Sequence, residues 1–112
     1  MTAKPWCRRS LIAGWGIVLA FSAKRTEAAT ATIVIDDYLF MPAELRVSIG
    51  TTVVWENRDS SPHNVLSVAD PRVFRSRAMA TGERFEFTFA APGTYGYFCG
   101  LHPHMQGFVV VE

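Results

Sequence analysis

The sequence predicts an all-β domain, a two-sheet Greek-key sandwich of seven or eight short strands behind a leader segment. Three observations carry that prediction. Apolar and polar residues alternate with period two in several segments, as half-buried strands require. The runs are separated by turn-forming clusters rather than helix caps. No stretch of the remaining chain repeats its apolar residues at the spacing of an amphipathic helix. Seven or eight short strands in ~80 residues suggest a two-sheet Greek-key sandwich.

Taken in order, the first segment is the leader. Lys4, Arg8 and Arg9 precede an apolar run from Leu11 to Ala23. That run is shorter than the ~20 residues needed to span a bilayer. A basic start, a short apolar stretch and then Ala28, Ala29, Thr30 and Ala31 make a secretory signal pattern, with cleavage after Ala29 or Ala31. The expected division is a signal over 1–31 and a folded domain over 32–112. Arg8-Arg9-Ser10-Leu11-Ile12 also resembles a twin-arginine signal, so the leader fits either that route or general secretion.

The strand signals follow. Ile33 and Ile35 alternate with Thr32, Val34 and Asp36; Leu45, Val47 and Ile49 alternate with Glu44, Arg46 and Ser48. Thr52 to Asn57 and His63 to Val68 are further strand-like runs, separated by the polar loop Asn57-Arg58-Asp59-Ser60-Ser61-Pro62. Phe85, Phe87 and Phe89 alternate with Arg84, Glu86 and Thr88, the clearest half-buried strand of the chain. Ala91-Pro92-Gly93 reads as a turn leading into Gly93 to Cys99, and Gly107 to Glu112 closes the domain. Phe74 to Met79 fits either a weak edge strand or an irregular crossing.

Composition narrows the function. The 112 residues carry a formal charge of +1 and are 49% hydrophobic and 19% charged, a globular balance with no basic footprint for nucleic acid. Removal of the leader leaves six basic residues, all arginine, against nine acidic ones, a charge of −3. Of the two cysteines, Cys7 departs with the leader and Cys99 remains alone, so no internal disulfide forms. A lone cysteine in an exported domain calls for a metal, a partner or a reactive role.

The chemistry concentrates in Cys99-Gly100-Leu101-His102-Pro103-His104-Met105, between two strands, with His63 upstream behind Pro62. Taken singly these are ordinary: a buried thiol, a loop histidine and a core methionine all occur without function. A Cys–His pair also fits a hydrolase dyad, but that leaves Met105 and His63 without a role. Thiolate and imidazole are strong copper ligands and a thioether is a soft, weak one; two histidines, one cysteine and a distant methionine make a blue-copper electron-transfer site. One type 1 copper ion is the expected cofactor, held by His63, Cys99, His102 and Met105. His104, between two of these residues, reads either as an exposed loop histidine or as a second group beside the site.

The chain resembles cupredoxins of the plastocyanin, amicyanin and pseudoazurin family, and most closely the amicyanins. Phe40-Met41-Pro42, Gly50 to Asp59, Pro62-His63-Asn64-Val65 and Pro92 to Cys99 carry the resemblance, together with the short Cys-x2-His-x2-Met spacing. It implies a cupredoxin sandwich with His63, Cys99 and His102 as equatorial ligands and Met105 as axial. It implies an exported, periplasmic electron carrier that is not an enzyme. Gly100 and Leu101 depart from the threonine and proline that amicyanins carry there. Asn64 ties the two ligand loops in the family, so the missing hydroxyl at position 100 implies a tie remade by backbone or lost.

The partners implied are redox proteins, a donor and an acceptor held transiently. No nucleic acid, no stable membrane insertion after cleavage, and a monomeric carrier are expected. Met41, Pro42, Pro62 and Pro103 are the apolar residues expected around His102, and Arg72, Arg75 and Arg77 form a local basic cluster suited to an acidic partner. The alternative function is copper delivery or tolerance through the same ligands. A single compact site without an extra Met- or His-rich tract favours the carrier.

Overall fold

The structure, a computed structural model, describes residues 29–112. The basic and apolar parts of the predicted leader, with Cys7, lie outside these residues. Eight strands follow in order: β1 (Thr30–Asp36), β2 (Leu39–Met41), β3 (Glu44–Val47), β4 (Thr52–Asn57), β5 (Leu66–Ser67), β6 (Arg84–Thr88), β7 (Gly93–Phe98) and β8 (Gln106–Val111). No described residue is helical, and none belongs to a helix long and apolar enough to cross a membrane.

The strands form two four-stranded sheets, ordered β2-β1-β4-β6 and β3-β8-β7-β5. Only β1–β2 and β7–β8 are joined within one sheet as antiparallel neighbours; every other connection crosses to the opposite sheet. The crossings place β1 parallel to β4 and β3 parallel to β8. The predicted all-β sandwich is what forms.

The alternation explains the layers. Ile33 and Ile35 of β1 are buried, and Phe85, Phe87 and Phe89 face inward with Phe89 fully covered. Val47 and Leu45 pack against the core, but Ile49, expected to continue their series, lies past the end of β3 and is exposed. β4 is central and covered on both faces: Val53, Val54, Trp55 and Asn57 are all buried. Such a strand shows no alternation, because both its faces meet protein.

The segment from Phe74 to Met79 takes the second of its two predicted forms, an irregular crossing. Phe74 nevertheless sits at the centre of the aromatic core, with ring centroids 5.1 Å from Phe87, 5.5 Å from Trp55 and 5.7 Å from Phe89. The expected strand from His63 to Val68 shrinks to the two residues of β5. Its other backbone groups bond to the crossing instead: the His63 amide to the Met79 carbonyl at 3.2 Å, the Met79 amide to the His63 carbonyl at 2.8 Å, and the Ser76 amide to the Val65 carbonyl at 2.8 Å. The crossing thereby becomes the edge that the second sheet lacks.

The turn between β1 and β2 carries no glycine. Asp37 and Tyr38 take φ values of +52° and +58°, the pair that a two-residue type I′ turn demands. A bulky residue held there costs about 1–3 kcal/mol. Without an Asn-Gly or Asp-Gly signal, β2 was not predictable as a separate strand. Three connections now converge at one end of the sandwich: this turn, the β4–β5 loop with His63, and the β7–β8 loop with Cys99 to Met105.

Candidate metal centre

The β4–β5 loop is shaped by a buried amide. Asn57, the last residue of β4, donates through Nδ2 to the carbonyls of Ser61 (3.0 Å) and Met79 (2.9 Å), while its Oδ1 accepts the Asp59 amide at 2.9 Å. The polar composition that marks this stretch as a loop is thus its framework, and it delivers His63 into the interior with no exposed surface.

There the His63 ring is fixed from behind. Its Nε2–H donates to Asp59 Oδ2 at 2.9 Å. This places the proton on Nε2 and leaves the Nδ1 lone pair free, the arrangement by which a carboxylate commonly orients a metal-binding histidine. The same carboxylate oxygen accepts the Tyr38 amide at 2.9 Å, and Oδ1 accepts the Ser60 amide at 3.0 Å. These bonds, the Tyr38 amide first and the His63 ring next, hold the Asp59 carboxyl below its usual range against the opposing pull of burial.

The second wall is the β7–β8 loop. Cys99 follows directly on β7 and is fully buried. The loop closes on itself: the Cys99 amide donates to the Met105 carbonyl at 3.1 Å, and the Met105 amide to the His102 carbonyl at 2.9 Å. His102 is part-exposed, and Met105 is buried at the loop's end.

The two walls meet at three atoms. His63 Nδ1 lies 3.7 Å from Cys99 Sγ, His102 Nδ1 lies 3.8 Å from the same sulfur, and the two nitrogens are 3.2 Å apart. All three donors fall within 4.8 Å of one another, as a shared cation would require. Two imidazole nitrogens and a thiol form a donor set that suits copper. Of the four predicted ligand residues, the structure brings His63, Cys99 and His102 together; Met105 stands in the same loop, buried.

The seam between the walls answers the departure at position 100. The Gly100 amide donates to Asn64 Oδ1 at 2.6 Å, so the tie that a hydroxyl side chain would make is made by the backbone. A Cβ at Gly100 would stand 2.8 Å from Leu66 Cδ1 and 3.2 Å from Asn64 Oδ1. A side chain there would require the Leu66 side chain to turn aside.

His104 is exposed and outside the donor cluster, its ring centroid 6.4 Å from that of His102. The arginine cluster changes membership. Arg75 and Arg77 line a hollow of about 210 Å³ with Arg84, Glu83 and Met79, whereas Arg72 bonds the Ser67 carbonyl and lies over the Phe98 ring. Two residues that touch the site escaped the sequence reading. Asp59 carried a weak signal, an acid four residues before the histidine. Tyr38, whose ring lies edge-on to both histidines, carried none.

Against known proteins, residues 9–111 match the profile of a cupredoxin-like domain. Amicyanin of Paracoccus denitrificans is 40% identical over 91 residues, which cover 77% of this chain and 70% of that protein. The purple cupredoxin from Nitrosopumilus maritimus superposes with a TM-score of 0.69 at 37% identity, over 73% of this chain and 99% of the other. The Cu(I) form of an amicyanin variant superposes with a TM-score of 0.70 at 36% identity, over 80% and 87% of the two chains.

Proposed function

This chain belongs to the cupredoxin-like family, and from that premise we propose that it is a type 1 blue-copper protein carrying single electrons between exported redox partners. The observation that carries the proposal is the convergence of His63 Nδ1, Cys99 Sγ and His102 Nδ1 within 4.8 Å, with one histidine already oriented from behind. In this reading those three atoms, together with the Met105 thioether, would hold the copper. Bound there, copper supplies a one-electron couple between its Cu(II) and Cu(I) states.

The chain's own residues do the rest. Asp59 keeps the His63 proton on Nε2 and the ring in one plane. Burial of Cys99 and His63 keeps water from the inner wall. The part-exposed His102, between Leu101 and Pro103, offers the short way out for an electron.

The surface supports brief encounters. Leu39, Met41 and Leu101 are exposed apolar residues on or beside the connections that converge on the site. Small redox interfaces bind weakly, which permits turnover. Arg75, Arg77 and Arg84 take part in no ion pair among the described residues, so their charge is available to steer an acidic partner.

Export fits the leader pattern, and strand pairing favours one cleavage point. Thr30 and Ala31 pair with Thr52 and Val53, and the Ala29 carbonyl accepts the Thr52 amide at 2.9 Å. Cleavage after Ala29 keeps every residue of β1 and gives up only the Ala29 carbonyl bond; cleavage after Ala31 also removes two of its pairs. The intact mass of the exported protein distinguishes the two.

The test of function is an optical spectrum of the copper-loaded protein followed by cyclic voltammetry. An intense visible thiolate-to-copper band and a reversible one-electron couple are expected. Absence of the band with Cys99 intact overturns the site, and loss of metal on reduction replaces the carrier by copper delivery.

A further inference from the structure

Tyr38 stands where a tyrosine is poorly suited to stand, and its side chain is spent on the metal centre. Its φ of +58°, directly after Asp37 at +52°, is a backbone state that glycine or asparagine holds more readily. The turn itself needs no aromatic ring. Yet the ring lies edge-on to His63, with centroids 5.2 Å apart and planes at 90°, and edge-on to His102, at 4.9 Å and 85°.

Both ends of the residue are tethered. Its amide donates to Asp59 Oδ2, the oxygen that also accepts the His63 Nε2 proton. Its hydroxyl shares a 2.5 Å hydrogen bond with Ser61 Oγ, in the loop that delivers His63. Tyr38 is 38% exposed whereas His63 behind it is fully buried, so the residue lies on the solvent side of the imidazoles. A strained residue persists where its surroundings over-determine it, and such residues gather at functional sites.

We propose that Tyr38 is a positioning residue, a lid laid across His63 and His102 that fixes the planes of both rings and limits the access of water to their donor atoms. The proposal rests on the blue-copper reading and names what would hold the planes of the two imidazoles. The carboxylate of Asp59 couples the lid to its target: one oxygen sets the position of the turn and the orientation of His63.

Two substitutions in the full chain test it. Tyr38→Gly creates an Asp-Gly pair, the favoured sequence for this turn. It is expected to keep or raise the thermal midpoint of the metal-free protein, since backbone strain is relieved. In the copper-loaded protein the same change should speed copper loss to a competing chelator about tenfold or more and shift the visible band. Tyr38→Phe retains the ring edges and should restore most of the copper retention.

A Tyr38→Gly protein with the parent's copper-loss rate and band overturns the proposal. So does a Tyr38→Phe protein as impaired as Tyr38→Gly, because the ring contacts would then not be what holds the site. A failure of the blue-copper reading is distinguishable, since the parent protein itself would then show no visible band.

Discussion

The two histidines of the site are held in opposite ways. His63 is fully buried and fixed from two segments: Asp59 of its own loop behind its ring, and the crossing residue Met79 on both its backbone groups. His102 is part-exposed and held by a loop that hydrogen-bonds to itself between Cys99 and Met105. One wall is built by the fold and excludes water; the other is built locally and reaches the surface. An electron carrier needs both, because a site closed on all sides would be isolated from its partners and an open one would be reorganised by water.

The comparison can be broken most severely at the atom both walls share. Cys99→Ser replaces the sulfur near both histidine nitrogens and should abolish the visible band of the copper-loaded protein. Retention of the band would remove Cys99 from the ligand set.

The inner wall comes next. Asp59→Ala removes the acceptor of the His63 proton, and the expected loss is about 10- to 100-fold in copper affinity, measured by chelator competition. Asp59→Asn keeps an oxygen near His63, though not the charge, and should fall between the two. If both substitutions leave affinity unchanged, the carboxylate does not orient His63.

At the seam, Gly100→Ala forces a methyl group against Leu66 and Asn64. Leu66 Cδ1 ends a half-buried side chain that can turn aside, so the destabilisation expected is at the low end for overpacking, about 1 kcal/mol, read by denaturant unfolding. An unchanged midpoint would show that the loops have slack.

Beneath the site, Tyr97 is buried and its hydroxyl has no hydrogen-bond partner. Desolvation pushes its phenol up to about 12 from 10.0, partly opposed by the nearby Trp55 indole N–H, which does not reach hydrogen-bond geometry. The folded state therefore keeps this proton where the unfolded chain loses it. Stability from this group is present below pH 10 and falls as pH rises through about 12, by roughly 3 kcal/mol. Tyr97→Phe should flatten that alkaline decline while changing neutral-pH stability by less than about 1 kcal/mol, since the hydroxyl removed was unpaired. An unaltered alkaline decline would assign it to another group.

The smallest effect belongs to the surface. Replacing Arg75, Arg77 and Arg84 together by alanine should slow electron transfer to an anionic oxidant such as hexacyanoferrate(III) a few-fold at low salt and leave it unchanged at high salt. A cationic oxidant should show no such loss. Equal effects on both probes would mean the hollow does not steer.

Much of this was legible in the residues because it is local. The period-two runs around Ile33, Leu45 and Phe87 mark strands through the geometry of the strand itself. The Cys99, His102 and Met105 spacing is legible because one loop carries all three. The strand expected over His63 to Val68 was too long, since the sequence could not show that the partner of His63 and Val65 would be an irregular crossing. Phe74 gave no periodic signal, because five aromatic neighbours gather round it only once the sheets close.

The sequence by itself determined the fold class, the donor types and the loop that carries most of them. Those follow from side-chain chemistry and from spacings of a few residues. The tertiary structure alone decided that Asp59 would orient His63, that a bare Gly100 amide would stand in for a hydroxyl on Asn64, and that Tyr38 would lie across both imidazoles. The Gly100 and Tyr38 contacts join segments far apart in sequence, and even Asp59 meets the His63 ring only once their shared loop has folded around Asn57. These contacts join residues separated by 4, 36, 25 and 64 positions, and all but the first exist only after turns from both sheets meet at one end of the sandwich.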